Sequence, residues 1–175
     1  MKNTKLLLVL AAVTLTAVSC GSKKETPKEE APKMLVLYYS QTGNTKLVAE
    51  EIANKLGADI EEITMVDPYD TGFRATIDRC MKESEEGILT DINPVKADLA
   101  GYDVIFLGFP VWFGTYAPPV ITFLNDADLS GKKVVPFCTF GSGGLESSVK
   151  DLVDADPNAE VLPGWMRCPT RWTIS

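Results

Sequence analysis

From residue 34 onward, unbroken apolar runs alternate with stretches in which apolar residues recur every three or four positions. Residues 34–39 (MLVLYY) form such a run, which predicts a strand buried on both faces. In Asn44–Leu56, Val48, Ile52 and Leu56 stand four apart with Ala49 and Ala53 beside them, which predicts an amphipathic helix closed by Gly57. Residues 60–66 alternate and predict a second strand, followed by a turn at Asp67-Pro68-Tyr69-Asp70. Phe73, Ile77, Met81 and Ser84 mark one face of a second helix. Residues 104–107 predict a central strand, and Pro118 and Pro119 open a short helix that runs to Leu124. A strand over 134–138, a helical stripe at Leu145, Val149, Leu152 and Val153, and a remnant of a fifth strand at Val161 and Leu162 follow. The alternation of strand and helix predicts an α/β fold with a parallel, helix-covered sheet.

Residues 1–33 follow a different pattern. Lys2 and Lys5 precede a 13-residue apolar run, Leu6 to Val18, and then Ser19, Cys20 and Gly21. That reads as a signal peptide over residues 1–19. The run is shorter than the roughly 20 residues of an ordinary membrane span. The segment AVSC resembles the lipobox of bacterial lipoproteins, in which the cysteine becomes the lipidated first residue; Ala17 stands where leucine is the commoner choice. By that resemblance Cys20 is the lipidation site, and the chain is exported and anchored on the extracytoplasmic side of a membrane. GSKKETPKEEAPK carries two prolines, seven charges and no large apolar side chain, so residues 20–33 read as a solvated tether. The folded domain is expected at 34–175.

Composition narrows the chemistry. The 175 residues suffice for one domain of ordinary size. Histidine is absent, which removes Ser-His-Asp and Cys-His nucleophiles, HExxH zinc sites and histidine-ligated haem. A formal net charge of -7 without a basic cluster argues against nucleic acid and favours basic partners. Cys80, Cys138 and Cys168 contain no CxxC and read first as structural cysteines, although an exported protein could oxidise one pair.

In an open parallel sheet, ligands bind beyond the carboxyl ends of the strands, where strand order reverses. Three unusual segments fall there. Ser40-Gln41-Thr42-Gly43-Asn44-Thr45 follows a strand and opens a helix. Its hydroxyls, freed amides and helix dipole make a cup for a phosphate, or simply an N-cap supplied by Thr or Asn. It is neither a Walker loop nor a GxGxxG fingerprint. The segment from Gly108 to Pro119 gathers Phe109, Trp112, Phe113 and Tyr116, as flat walls for a planar ligand or as a plug of the sheet edge. Thr139, Phe140, Gly141, Ser142, Gly143 and Gly144 allow close backbone approach, or a flexible connection.

Taken together these segments resemble flavodoxins. SQTGNT is similar to their phosphate loop, S/T-x-T-G-x-T, and YDVIFLGFPVWFGTYAPP and VVPFCTFGSGG resemble the two loops that hold the isoalloxazine in short-chain bacterial flavodoxins. The resemblance spans residues 34–163. It implies a doubly wound five-stranded parallel sheet of order 2-1-3-4-5 and non-covalent FMN. It also implies that Ser40, Gln41, Thr42, Gly43, Asn44 and Thr45 hold the phosphate. Pro110, Trp112, Phe113 and Gly114 would line one side of the ring, and Thr139, Phe140, Gly141, Ser142 and Gly143 the other. Trp112, Phe113 and Tyr116 compete for the stacking position. The implied function is electron transfer to a basic redox partner, with the acidic shell lowering the flavin potential. An FMN-dependent NAD(P)H:quinone-type reductase and a flavin-free interaction domain are the alternatives.

The family's last helix is expected to be missing, because Pro163, Gly164 and Pro169 interrupt the segment after Leu162. The sheet face it would cover is then expected to lie open over strands three to five, favouring self-association or lower stability, unless the tail folds back over it.

Overall fold

The computed structural model describes residues 31–70, 72–141, 143–168 and 171–174, and of residues 165–174 the backbone alone. The signal segment, Cys20 and the tether up to residue 30 lie outside the described residues, as does Ser142. The elements are β1 (Met34–Tyr38), α1 (Asn44–Leu56), β2 (Asp59–Glu62), α2 (Phe73–Glu86), β3 (Val104–Trp112), β4 (Thr115–Tyr116), α3 (Pro118–Asp126), β5 (Lys133–Thr139), α4 (Leu145–Ala155), β6 (Glu160–Val161), β7 (Trp165–Cys168) and β8 (Arg171–Ile174).

The sheet order is β2-β1-β3-β5-β7-β8. All pairs from β2 to β7 along this path are parallel, and β8 returns antiparallel to β7. From β1 the chain moves to β2 on one side and then to β3 on the other, so the order reverses between β1 and β3 and opens a crevice beyond their carboxyl ends. The expected 2-1-3-4-5 order is therefore present, with the short β4 paired only to β3.

Two apolar layers hold the sheet. On one face Val48, Ala49, Ile52 and Ala53 of α1 pack with Val36, Tyr38, Phe106, Val135 and Phe137. On the other, α2, α3 and α4 supply Cys80, Val120, Phe123, Leu145 and Leu152 against Leu35, Leu37, Ile105, Leu107 and Phe109. Each fully buried Val, Leu, Ile or Phe stabilises by about 1.5–3 kcal/mol. The alternation of side chains along β1 and β3 thus feeds both layers.

Three local expectations need correction. First, β3 does not stop at Leu107 but runs to Trp112, placing Pro110 and Trp112 in a strand. β1 pairs with β3 only as far as Gly108, so beyond it β3 has an open side and tolerates proline. Second, Phe73 is 83% exposed and Met81 is exposed, so α2 does not pack through the stripe of Phe73, Ile77, Met81 and Ser84. Of that stripe only Ile77 is half-buried, and it is joined on the inner side by Thr76, Arg79, Cys80 and Glu83, a largely polar set bound into hydrogen bonds. Third, the tail neither folds over the sheet nor leaves it. The fifth strand is present in two pieces, β6 and β7, both paired to β5, and β8 extends the edge. The face expected to lie open is not open at the described residues of β3 and β5, since Phe106, Val135 and Phe137 are buried.

Candidate functional site

The carboxyl edge of β1, β3 and β5 brings the three singled-out segments together. The first starts at Ser40 and enters α1. The N-cap residue of α1 is Gly43, with φ 83°, which has no side chain of its own to cap the helix. The Thr or Asn cap that this sequence could have supplied is not formed. Thr42 Oγ1 instead accepts from Asn44 Nδ2 at 3.2 Å, and Ser40 Oγ accepts from the Lys46 N–H at 3.2 Å. Glycine adopts the left-handed conformation at Gly43 without strain, and the helix dipole concentrates partial positive charge at the start of α1. Thr45 faces inward, 1% exposed, with its hydroxyl 2.9 Å from that of Thr139.

Gln41 plays a different part from its neighbours. Its Oε1 accepts from the Tyr39 hydroxyl at 2.6 Å, and its Nε2 reaches the carbonyls of Tyr69 and Asp70 at 3.3 and 3.2 Å. Both ends of the amide are thereby used to strap the loop to the turn before α2. Tyr39 and Tyr69 in turn meet the Trp112 ring at 6.0 and 5.5 Å between centroids, with interplanar angles of 87° and 65°. Trp112 is held at a fixed tilt from two sides, in the edge-on geometry aromatic pairs prefer.

The second segment is a hairpin. Val111 and Trp112 of β3 pair with Tyr116 and Thr115 of β4 across a two-residue turn at Phe113-Gly114. Both turn residues have positive φ, 53° and 88°, as the tightest hairpin turns require. For Phe113 that conformation is unfavourable, and its side chain is exposed. α4 latches the hairpin: Ser147 Oγ donates to the Gly114 carbonyl, and Thr115 Oγ1 donates to Asp151 Oδ2 at 2.5 Å.

The third segment joins the hairpin. A Cβ on Gly144 would lie 2.5 Å from Val111 Cγ1, so a side chain there would drive the two loops apart. α4 begins at Gly144, with φ 108°, and it too has no side-chain cap. Phe140 is half-buried against the main core and Gly141 is exposed. Pro110 stands opposite Thr139 in register.

Sequence reasoning misses Tyr39, and for Asp67-Pro68-Tyr69 it prefers a simple turn to a place bordering the flavin. Tyr69 is buried, and its hydroxyl donates to Glu83 Oε2 at 2.6 Å. An aromatic inside a Pro-containing turn was the available signal. Arg79 Nε donates to the same carboxylate at 2.7 Å, and Thr90 Oγ1 donates to it at 3.2 Å. Burial alone would raise the Glu83 pKa, but the hydrogen bonds from Tyr69, Arg79 and Thr90 outweigh it and hold the carboxyl below its ordinary value. Burial raises the thiol of Cys80 and pushes that of Cys138 up to about 12, so neither is a ready nucleophile at neutral pH. Both are free and buried.

The edge therefore combines two helix starts with glycine at the N-cap and a clamped indole, with no titratable group poised for proton transfer among the residues singled out. A model of the flavodoxin family, described simply as Flavodoxin, matches residues 33–171. The crystal structure of a flavoprotein in complex with FMN from Lactobacillus acidophilus superposes with a TM-score of 0.69 at 26% identity, covering 79% of this chain and 93% of that one. Flavodoxin 1 of Salmonella typhimurium is 27% identical over 124 residues, 69% of this chain and 54% of that protein. NAD(P)H dehydrogenase (quinone) 3 of Rhizobium meliloti is 30% identical over 135 residues, 67% of this chain and 58% of that protein. The chain thus spans a little over half the length of these curated relatives. With a family model covering most of its length and the sheet order and loops that go with it, the chain belongs to the flavodoxin family.

Proposed function

We propose that the chain binds FMN without a covalent bond and carries electrons, as a flavodoxin tethered by lipid to the extracytoplasmic side of a bacterial membrane. The observation that carries the cofactor reading is the start of α1 with a glycine at its N-cap, at the sheet edge where Trp112 is clamped. A dianionic phosphate suits such a helix start without any arginine. Ser40, Thr42, Gly43, Asn44 and Thr45 hold the phosphate, while Gln41 acts from behind by fixing the loop to Tyr69. Pro110, Trp112, Phe113 and Gly114 line one side of the ring, and Thr139, Phe140, Gly141, Ser142 and Gly143 the other. FMN, when bound, supplies one- and two-electron redox chemistry; the protein binds it, orients it and limits its contact with water. The net charge of -7 opposes a negative reduced ring and recruits basic redox partners. An absorption spectrum of the purified protein tests the cofactor reading: flavin bands support it, and a colourless protein that stays colourless after mixing with FMN overturns it.

Attachment to the membrane rests on Cys20 behind the apolar segment. Buried acyl carbons stabilise the anchored state by about 0.8 kcal/mol per methylene. Feeding bacteria a tagged fatty acid should label the wild type and not Cys20→Ser; an unlabelled wild type contradicts the anchor.

A second reading has the protein reducing small acceptors with NAD(P)H. What favours it is the similarity to a protein named NAD(P)H dehydrogenase (quinone) 3. Steady NAD(P)H consumption by the pure, FMN-loaded protein would select it over the carrier.

A further inference from the structure

Ten large apolar side chains are exposed among the described residues, and four of them, Met81, Ile88, Leu89 and Phe113, at 49, 52, 52 and 66%, line one cavity. The cavity has a volume of about 500 Å³ and lies between α2, the segment that follows it and the hairpin of β3 and β4, with Trp112 and Ile121 in its walls. It includes none of Ser40 to Thr45 and none of Thr139 to Gly143, so it is distinct from the phosphate cup and the glycine loop. Its origin lies in α2. That helix turns its polar stripe inward to Tyr69 and Thr90, which leaves Met81 on the outer side with Ile88 and Leu89 beyond the helix end.

Two features indicate what the cavity is for. Phe113 sits at φ 53°, where Asn or Gly would be relaxed, and its residue forms part of the wall. Charge then selects the occupant. Glu83 and Glu85 line the cavity, and no Lys or Arg does among the described lining residues. The Glu83 carboxylate is ion-paired with Arg79 at 2.7 Å, whereas Glu85 has no ion-pair partner among the described residues. Glu85 disfavours phosphates and carboxylates, whereas an uncharged ring meets apolar and aromatic walls in a space of ordinary ligand size.

We propose that this cavity binds a neutral, planar ring compound that carries no phosphate or carboxylate. Because Trp112 and Phe113 also belong to the loop assigned to the flavin, an occupant would be held next to that loop. Binding itself does not depend on FMN.

The test is methyl NMR on the full chain, with and without FMN, using the isosteric pair 2-acetylnaphthalene, neutral, and 2-naphthoate, anionic. The neutral compound should give saturable shifts at the methyls of Met81, Ile88, Leu89 and Ile121 and leave Leu47, exposed on α1, unmoved. The anion should bind at least about tenfold more weakly. Leu89→Glu, at an exposed position, should weaken the neutral compound at least about tenfold while FMN titrates by absorbance as in the wild type. Four results overturn the proposal: no saturable shifts; equal binding of the anion; loss of FMN binding in Leu89→Glu; or the same methyls shifting with protein concentration alone, which would assign the patch to a second copy of the chain. Failure of FMN to bind would overturn the cofactor reading and leave this one to stand or fall on the methyl shifts.

Discussion

The hydroxyls of Thr45 and Thr139 lie 2.9 Å apart although 94 positions separate them in the chain. One is in the first turn of α1 and the other ends β5, so this contact ties the phosphate loop across the sheet to the strand that leads into the glycine loop. Thr45→Val keeps the shape but leaves the Thr139 hydroxyl without this partner. Stability should fall by about 1–2 kcal/mol in urea unfolding, and Thr45→Ser should recover most of it.

Thr42 and Gln41 are neighbours with opposite assignments. Thr42 is exposed beside the open helix start, so Thr42→Ala should weaken FMN by about 10- to 100-fold, the loss of one hydrogen bond to a charged group, and leave riboflavin unchanged. Gln41→Ala removes the strap to Tyr69 and with it the support of the Trp112 seat, so it should weaken FMN and riboflavin by the same factor. Fluorescence titration with both ligands separates the two roles.

Gly108 faces a different constraint. A Cβ there would lie 2.1 Å from Phe137 Cζ, because the Phe137 ring lies over the glycine of the neighbouring strand. Gly108→Ala should cost about 1–3 kcal/mol from overpacking. Adding Phe137→Leu should lessen that cost, as a denaturant double-mutant cycle would reveal.

Much of the fold was legible in the sequence. The limits of α1 agree with the expected Asn44–Leu56, because the spacing of Val48, Ile52 and Leu56 and the stop at Gly57 are local signals. The continuation of β3 through Pro110 was not, since it depends on β1 having ended alongside it. The buried side of α2 was misread for a related reason. Arg79 and Glu83 look like a solvated face until Tyr69 and Thr90, which flank α2 on either side in the chain, provide partners. Among the site residues, the glycines and hydroxyls were visible as types, whereas the committed role of Gln41 depends on Tyr39 and Tyr69, which no spacing rule connects to it.

Glu83 supplies a pH dependence. Its folded pKa lies below the unfolded value of about 4.3, so its contribution is complete above that pH and is lost as pH falls through the folded pKa. Glu83→Gln should therefore be less stable than the wild type by about 1–3 kcal/mol at pH 7, with the gap closing as the pH falls below about 4. Urea unfolding of both proteins from pH 7 to pH 3 would measure it, and a gap independent of pH would contradict this assignment.

Phe113 offers the converse effect on stability. Phe113→Gly relieves a left-handed aromatic at the hairpin tip and should raise stability by about 1 kcal/mol, read as a higher urea midpoint. A lower midpoint would mean that the ring contributes more by packing than it costs in the backbone.

The central claim is that the start of α1 reads a phosphate. Its most direct test is the affinity of the wild-type protein, freed of bound flavin, for FMN against riboflavin, by quenching of flavin fluorescence. The two ligands share the ring and differ in the phosphate. The account predicts FMN binding at least about 100-fold tighter, the value of one or two charge-assisted hydrogen bonds at a helix start with a glycine N-cap. Equal affinities, or no binding of either, would contradict it.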